Sequence, residues 1–207
     1  MKAPLLNKGL YAITPDINDA EVLLNKVERA LQGGVALLQY RDKISSATEK
    51  LNRAKAIHDI CLKYRVPLVI NDDAELALEC GAEGVHLGQS DGSIQHARQL
   101  LGKNSIIGAT CHHQIELAIT AEQQGANYVA FGRFFNSRTK PGAPLASVET
   151  LITAKKSLSI PLVAIGGISH ANAGALINAG ADYIAVVEKI FLADDLTLSC
   201  QRFCCLF

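Results

Sequence analysis

Apolar residues in this chain come in short bursts separated by longer, mixed stretches. Eight bursts, at 9–14, 35–41, 66–71, 84–87, 105–109, 128–131, 161–165 and 183–187, are mostly continuous rather than alternating. Continuous runs suit strands covered on both faces, as in parallel sheets. Between them apolar positions recur at helical spacing, as in Val22, Leu23, Val27, Ala30 and Leu31, then Leu51, Ala54, Ile57, Ile60 and Cys61. The same spacing predicts helices over 93–101, 113–124, 147–157, 172–179 and 196–206, and a short one over 74–80. Gly33, Gly81, Gly102, Gly125 and Gly180 fall just past helix ends, where a left-handed residue stops a helix. Small-residue turns such as Gly81-Ala82-Glu83-Gly84, Gly125-Ala126-Asn127-Tyr128 and Gly180-Ala181-Asp182-Tyr183 then lead into the next strand. That recurrence marks a repeated βα unit. Eight such units predict fold class α/β and a closed (β/α)8 TIM barrel. A doubly wound open sheet is the alternative, but no Gly-x-Gly-x-x-Gly follows the first strand. No linker or shift of composition interrupts residues 1–207, so one domain is expected.

Composition narrows the class without changing the fold. With 49% hydrophobic residues and only 5% aromatics, the core is expected to be aliphatic. The formal net charge is zero, which gives no support to a nucleic-acid partner or an acidic one. The N-terminal residues break up before a signal-length apolar run, and nothing approaches the roughly 20 apolar residues of a membrane span. A cytoplasmic protein acting on small molecules is the expectation. The six cysteines match no zinc template, and Cys111-His112-His113 diverge on any regular element. Most of the cysteines are expected to be reduced packing residues.

Barrel enzymes carry their chemistry at the C-terminal ends of the strands. In Gln39-Tyr40-Arg41-Asp42-Lys43 strand alternation points Leu37, Gln39, Arg41 and Lys43 one way, and Leu38, Tyr40 and Asp42 the other. An amide and two cations at a strand tip suit a ligand rich in phosphate oxygens. Asn71, Asp72 and Asp73 end the third strand, and His86, Gln89 and Asp91 follow the fourth. Asp72 and Asp91, from neighbouring strand ends, can share a hard cation such as Mg²⁺, or each can cap the helix that follows. Thr110 follows the fifth strand, and Ser137, Arg138, Thr139 and Lys140 lie in a longer loop after the sixth. That loop offers hydroxyls and cations, and reads equally as a polar loop ending at Pro141-Gly142. Gly166-Gly167 ends the seventh strand, where backbone N–H groups can meet an anion, though glycines also serve tight turns. Val187-Glu188 ends the eighth. His86 fits a core histidine with a satisfied ring better than a catalytic one.

These residues closely resemble the thiamine phosphate synthase family. The resemblance runs over about residues 9 to 190, through Leu10-Tyr11-Ala12-Ile13-Thr14, the 39–43 stretch, Asn71-Asp72-Asp73, His86-Leu87-Gly88-Gln89-Ser90-Asp91, Thr139-Lys140 and Ala164-Ile165-Gly166-Gly167-Ile168. It implies a (β/α)8 fold and a Mg²⁺-dependent transferase. That enzyme joins hydroxymethylpyrimidine diphosphate to a thiazole phosphate, giving thiamine phosphate and pyrophosphate. It further implies that Gln39, Arg41, Lys43, Asn71 and Lys140 bind the pyrimidine diphosphate, with Tyr40 and Asp42 in the same stretch. Arg41, Lys43 and Lys140 would stabilise the leaving group, and Asp72 and Asp91 would hold Mg²⁺. Thr110, Ser137, Arg138 and Thr139 would surround the pyrimidine and the thiazole, and Gly167, Val187 and Glu188 the thiazole phosphate. The chain departs from the family pattern at Ser137 (usually Thr), Thr110 (usually Ser), Arg133 (often Pro) and Glu188 (usually small or neutral). Rival expectations are a thiazole tautomerase and a non-catalytic thiamine phosphate sensor. Barrels of this kind also allow a homo-oligomer.

Overall fold

The computed structural model describes residues 8–136 and 145–207. Eight parallel strands close into a barrel in chain order: β1 (Gly9–Ile13), β2 (Leu37–Tyr40), β3 (Leu68–Asn71), β4 (Gly84–Leu87), β5 (Ile106–His112), β6 (Tyr128–Phe131), β7 (Leu162–Ile165) and β8 (Tyr183–Val186). The last pairs with the first, Leu10 opposite Ile184 and Ala12 opposite Val186. The connecting helices are α1 (Ala20–Gln32), α2 (Ala47–Tyr64), α3 (Ala74–Cys80), α4 (Ile94–Leu101), α5 (Ile115–Gln123), α6 (Val148–Ser157) and α7 (His170–Asn178). A short α8 (Glu188–Phe191) and a final α9 (Leu196–Cys204) follow β8. No helix among the described residues is long and apolar enough to cross a membrane.

Two apolar layers explain why the strands read as unbroken runs. Tyr11, Leu37, Val69, Ile106, Tyr128 and Val163 fill the barrel interior. Their neighbours Leu10, Leu38, Ile70, Ile107, Val129 and Leu162 face outward and pack under the helices. Each strand therefore buries both faces. The helices follow the same logic. On α1 Asp19 caps the amides of Glu21 and Val22, and Leu23, Val27, Ala30 and Leu31 are buried. Val22 stays exposed, at the edge of that apolar stripe. On α2 Ser46 and Glu49 form a reciprocal capping box, and the helix stops at Arg65 in a left-handed conformation, φ 56°. All six cysteines are free, four of them buried as packing residues.

One device recurs at the amino-terminal rim. The polar residue just before β4, β6 and β8 reaches sideways to an amide at the start of the strand before it. Glu83 accepts from Leu68 N at 2.8 Å, Asn127 from Ile107 N at 2.8 Å, and Asp182 from Leu162 N at 3.0 Å. Each is backed by a cationic or basic side chain: His58 for Glu83, Arg98 for Asn127, Lys155 for Asp182. These side chains fasten β3 to β4, β5 to β6 and β7 to β8. Burial alone would raise the Asp182 pKa, but Lys155 and the Leu162 amide outweigh it and hold the carboxyl below its usual range.

Two local departures from the sequence pattern shape the mouth of the barrel. β5 runs on to His112 rather than ending at 109, because the pairing with β6 slips between Thr110 and His112. His112 takes φ 53° there and its carbonyl accepts from Gly132 N at 2.8 Å. α8 has no periodic pattern of its own and is a single turn set by the end of β8. Inside the barrel, a Cβ at Gly108 would overlap the Cζ and hydroxyl of Tyr128. Gly108→Ala is expected to cost about 1–3 kcal/mol by overpacking, read as a lowered urea midpoint.

Candidate active site at the carboxyl rim of the barrel

A cavity of about 230 Å³ opens at the C-terminal ends of the strands. Its floor is the upper interior layer and its walls are the loops that follow. From β2, Gln39 points inward and is only 3% exposed, and Arg41 lines the cavity above it. Thr14 at the end of β1 clasps that strand tip: its Oγ1 donates to Arg41 O at 2.9 Å and accepts from Arg41 N at 2.8 Å. Asp16, two residues on, accepts from Arg41 Nη1 at 3.0 Å and from Lys43 N at 2.7 Å. Lys43 Nζ in turn lies 2.6 Å from Asp72 Oδ2. The strand-tip cations are thus held by carboxylates on either side.

Tyr40 and Asp42 face the other way. Asp42 accepts from Ile44 N, Ser45 N and Tyr40 Oη, and pairs with Arg53 of α2 at 3.2 Å. Arg53 carries on to the carbonyls of Ile17 and Asn18, at 2.8 and 2.5 Å. Burial pushes the Asp42 carboxyl up, but the Ser45, Ile44 and Tyr40 donors win and bring it down to about 2. Tyr40 and Asp42 therefore brace the first two loops and do not line the central cavity. They do border a second cleft of about 370 Å³, shared with Lys43, Asp72 and Asp91.

Asp72 occupies a left-handed conformation, φ 66°, with its amide bonded to His86 O at 2.8 Å. Asx residues tolerate that region better than most. The twist frees its carboxylate from helix capping, which falls to Asp73, accepting from Leu76 N at 2.8 Å. Similarly Ser93, not Asp91, caps α4. Asp91 Oδ2 instead accepts from Gly88 N at 2.9 Å, and Asp91 and Asp72 border the same cleft. Burial tends to raise the Asp72 pKa, and the Lys43 ammonium overrides it, leaving the carboxyl below its usual range. Among the described residues no cluster of three or more His, Cys, Asp or Glu side chains surrounds these two.

Below them runs a buried polar chain. Gln39 Nε2 donates to Tyr11 Oη at 2.6 Å, and Tyr11 Oη meets Tyr128 Oη at 2.7 Å. Tyr128 Oη meets His86 Nδ1 at 2.9 Å, and His86 Nε2 meets Thr110 Oγ1 at 2.9 Å. His86 is thus a core histidine with both ring nitrogens engaged, though it also lines the cavity.

The far wall is built by β7 and β8. Gly166 and Gly167 take φ 103° and 64°, and their Cβ positions are filled by the backbone and side chains of 133–136. Phe134 N and Phe135 N donate to Ile165 O and Gly166 O at 3.1 and 3.0 Å. The diglycine therefore seats the loop after β6 closely against β7. Gly167, Val187 and Glu188 line the cavity together, and Lys189 joins them. Ser137, Arg138, Thr139 and Lys140 lie outside the described residues.

The sequence pattern missed Tyr11, Tyr128, Asp16, Arg133 and Lys189. Tyr11 and Tyr128 read as apolar strand residues. Asp16 sits in a loop without periodicity, where only its nearness to the end of β1 marked it.

A closed (β/α)8 barrel with cations, paired carboxylates and a glycine-lined wall at its carboxyl rim defines an enzyme for phosphorylated small molecules. Residues 10–190 match the thiamine monophosphate synthase family, and the chain belongs to that family. It is 47% identical over all 207 of its residues to a thiamine-phosphate synthase of Methylococcus capsulatus, covering 92% of that protein. It is 54% identical over 187 residues to one from Marinobacter nauticus, covering 90% of this chain and 84% of the relative. The solved thiamine phosphate pyrophosphorylase from Pyrococcus furiosus superposes with a TM-score of 0.86 at 31% identity, covering 96% of this chain and 94% of that one.

Proposed function

We propose that the barrel mouth joins 4-amino-5-hydroxymethyl-2-methylpyrimidine diphosphate to a thiazole phosphate, releasing pyrophosphate and forming thiamine phosphate. The enzyme is a transferase. The observation that supports this reading is the strand tip at 39–43: Gln39 and Arg41 line the central cavity beside Asn71 and Asp72, and Lys43, in the adjoining cleft, is paired with Asp72. Asp72 and Asp91 fit Mg²⁺, which is commonly held by one or two carboxylates with phosphate oxygens and water completing the shell. When bound, that ion neutralises charge on the diphosphate.

The protein's own groups supply the rest. As the carbon–oxygen bond breaks, its electron pair leaves with the diphosphate, and Arg41, Lys43 and Lys140 stabilise the growing charge. Lys43 exchanges its partner Asp72 for the diphosphate in the process. Gln39, Asn71 and Thr110 orient the aminopyrimidine, whose electron-rich ring supports the resulting cation. The thiazole nitrogen then forms the new carbon–nitrogen bond with its lone pair. Ser137, Arg138 and Thr139, outside the described residues, are assigned to substrate contact, and the thiazole phosphate lies between Gly167 and the Val187-Glu188 turn, with Lys189 offsetting Glu188. No side-chain nucleophile is needed. Incubating the purified protein with both substrates and Mg²⁺ is expected to yield thiamine phosphate and pyrophosphate, and excess EDTA to abolish both. Binding of thiamine phosphate without turnover would favour a sensor, and full turnover in EDTA would remove the metal from the scheme.

A further inference from the structure

We propose that Ser199 of α9 is a positioning residue that ties together the two loops of the phosphate wall, reaching the turn after β7 through His170 and the turn after β8 through the Lys189 carbonyl. The inference rests on reading that wall as the thiazole phosphate site. Ser199 is only 6% exposed and does not line the cavity, so it acts through the backbone it holds. The β7–β8 ladder runs to Ile165 opposite Ala185, short of Gly167 and Val187. Pairing within the sheet therefore does not set one loop against the other. α8 is a single turn, too short to be stable without outside support.

That support reaches α8 at its carbonyls. Ser199 Oγ donates to Lys189 O at 2.6 Å, and Lys26 Nζ of α1 donates to Phe191 O at 2.6 Å. From the other side His170, the first residue of α7, places Nε2 3.0 Å from Ser199 O and 3.4 Å from Ser199 Oγ. A carbonyl oxygen only accepts, so His170 Nε2 carries a hydrogen. The Ser199 hydroxyl has one hydrogen, committed to Lys189 O, so it too meets His170 as an acceptor. The His170 ring rests against Phe203, centroids 4.0 Å apart. The same first turn of α7 is bound to the diglycine. Asn172 Oδ1 accepts from Ser169 N at 2.7 Å, and Asn172 Nδ2 donates to Gly167 O at 3.3 Å. A connected path thus runs from Gly167 through α7, His170 and Ser199 to Lys189, outside the cavity. α9 itself is seated by Leu196, Cys200 and Phe203, each at most 2% exposed, so losing one hydroxyl leaves the helix in place.

Ser199→Ala is expected to raise KM for the thiazole phosphate by about tenfold, the equivalent of one hydrogen bond lost at the phosphate. KM for the pyrimidine diphosphate and kcat are expected to stay near those of the unsubstituted protein. His170→Phe keeps a ring against Phe203 but removes the donor, and is expected to show the same split. Both changes cut the same path, so the double variant should raise that KM little more than Ser199→Ala alone, whereas independent effects would multiply. A thermal melt checks each variant, and His170→Phe carries the test if Ser199→Ala does not fold. Lys189→Ala keeps the carbonyl but removes a cation from the wall, and marks the phosphate site through the same KM. The tie is refuted if Lys189→Ala raises that KM and neither Ser199→Ala nor His170→Phe does. It is equally refuted if those two raise both KM values in proportion, or if their effects multiply. If none of the three variants moves the thiazole phosphate KM, the phosphate lies elsewhere, and the reading of the wall fails and takes the tie with it.

Discussion

Asp72→Ala is expected to lower turnover by about 10²–10³-fold at saturating substrate, the scale of losing a preorganised charge partner at a reacting centre. Three features of this site combine in that residue. Its left-handed backbone aims the carboxylate away from helix capping, Asp91 borders the same cleft, and Lys43 is tethered to it at 2.6 Å. On the proposed assignment, removing it would take one of two metal ligands and also release Lys43 from its pairing. The loss should appear in kcat more than in the affinity for the thiazole phosphate, whose wall is built by β7 and β8. Asp72→Asn keeps the shape and hydrogen-bonding oxygen but not the charge, and should recover little. A variant that retained most turnover at low Mg²⁺ would show that the carboxylate is not a ligand.

Arg53→Ala is expected to be the most destabilising single change among the charged residues outside the cavity, by about 3 kcal/mol, the range for breaking a buried pair from one side. Arg53 is 9% exposed and ties Asp42 to the Ile17 and Asn18 carbonyls, so it holds the loops after β1 and β2 in one frame. Denaturation in urea at pH 7 measures the loss. The pH dependence has a fixed sign. Asp42 has a folded pKa of about 2 against 3.8 unfolded, so its contribution is complete above the unfolded value and fades as pH falls toward 2. Asp42→Asn should therefore cost stability at pH 7 and much less at pH 2. An equal cost at both would mean that the charge is irrelevant and only shape counts.

The fold was legible because both faces of each strand are buried, which turns a parallel barrel into eight dense apolar runs. Strand alternation also separated Gln39, Arg41 and Lys43 from Tyr40 and Asp42; the coordinates keep that separation for Gln39 and Arg41, but Lys43, beyond the end of β2, borders the second cleft with Tyr40 and Asp42. It could not say that the second pair serves the frame, because that depends on Arg53 from a different helix. Asp72 and Asp91 were visible as acids at adjacent strand ends, yet their release from capping depends on one φ angle and on Ser93. The buried polar chain was hidden for a further reason. Tyr11 and Tyr128 lie 117 residues apart, and within a run each looks like any other large core residue. Their hydroxyls acquire meaning only when the barrel closes. The slip in β5 at Thr110 also has no signature in the periodicity, since it follows from the backbone of His112.

The three sideways side chains at the opposite rim carry a consequence for how the molecule comes apart. Glu83, Asn127 and Asp182 bind six of the eight strands two by two, so that part of the cylinder is built from staves joined in couples. Amides at the feet of β3, β5 and β7 should exchange with solvent in step with the partner that grips them, and the seams between couples should open first. Catalytic loops can then loosen or tighten at one end of the cylinder while the hoop at the other end keeps its shape.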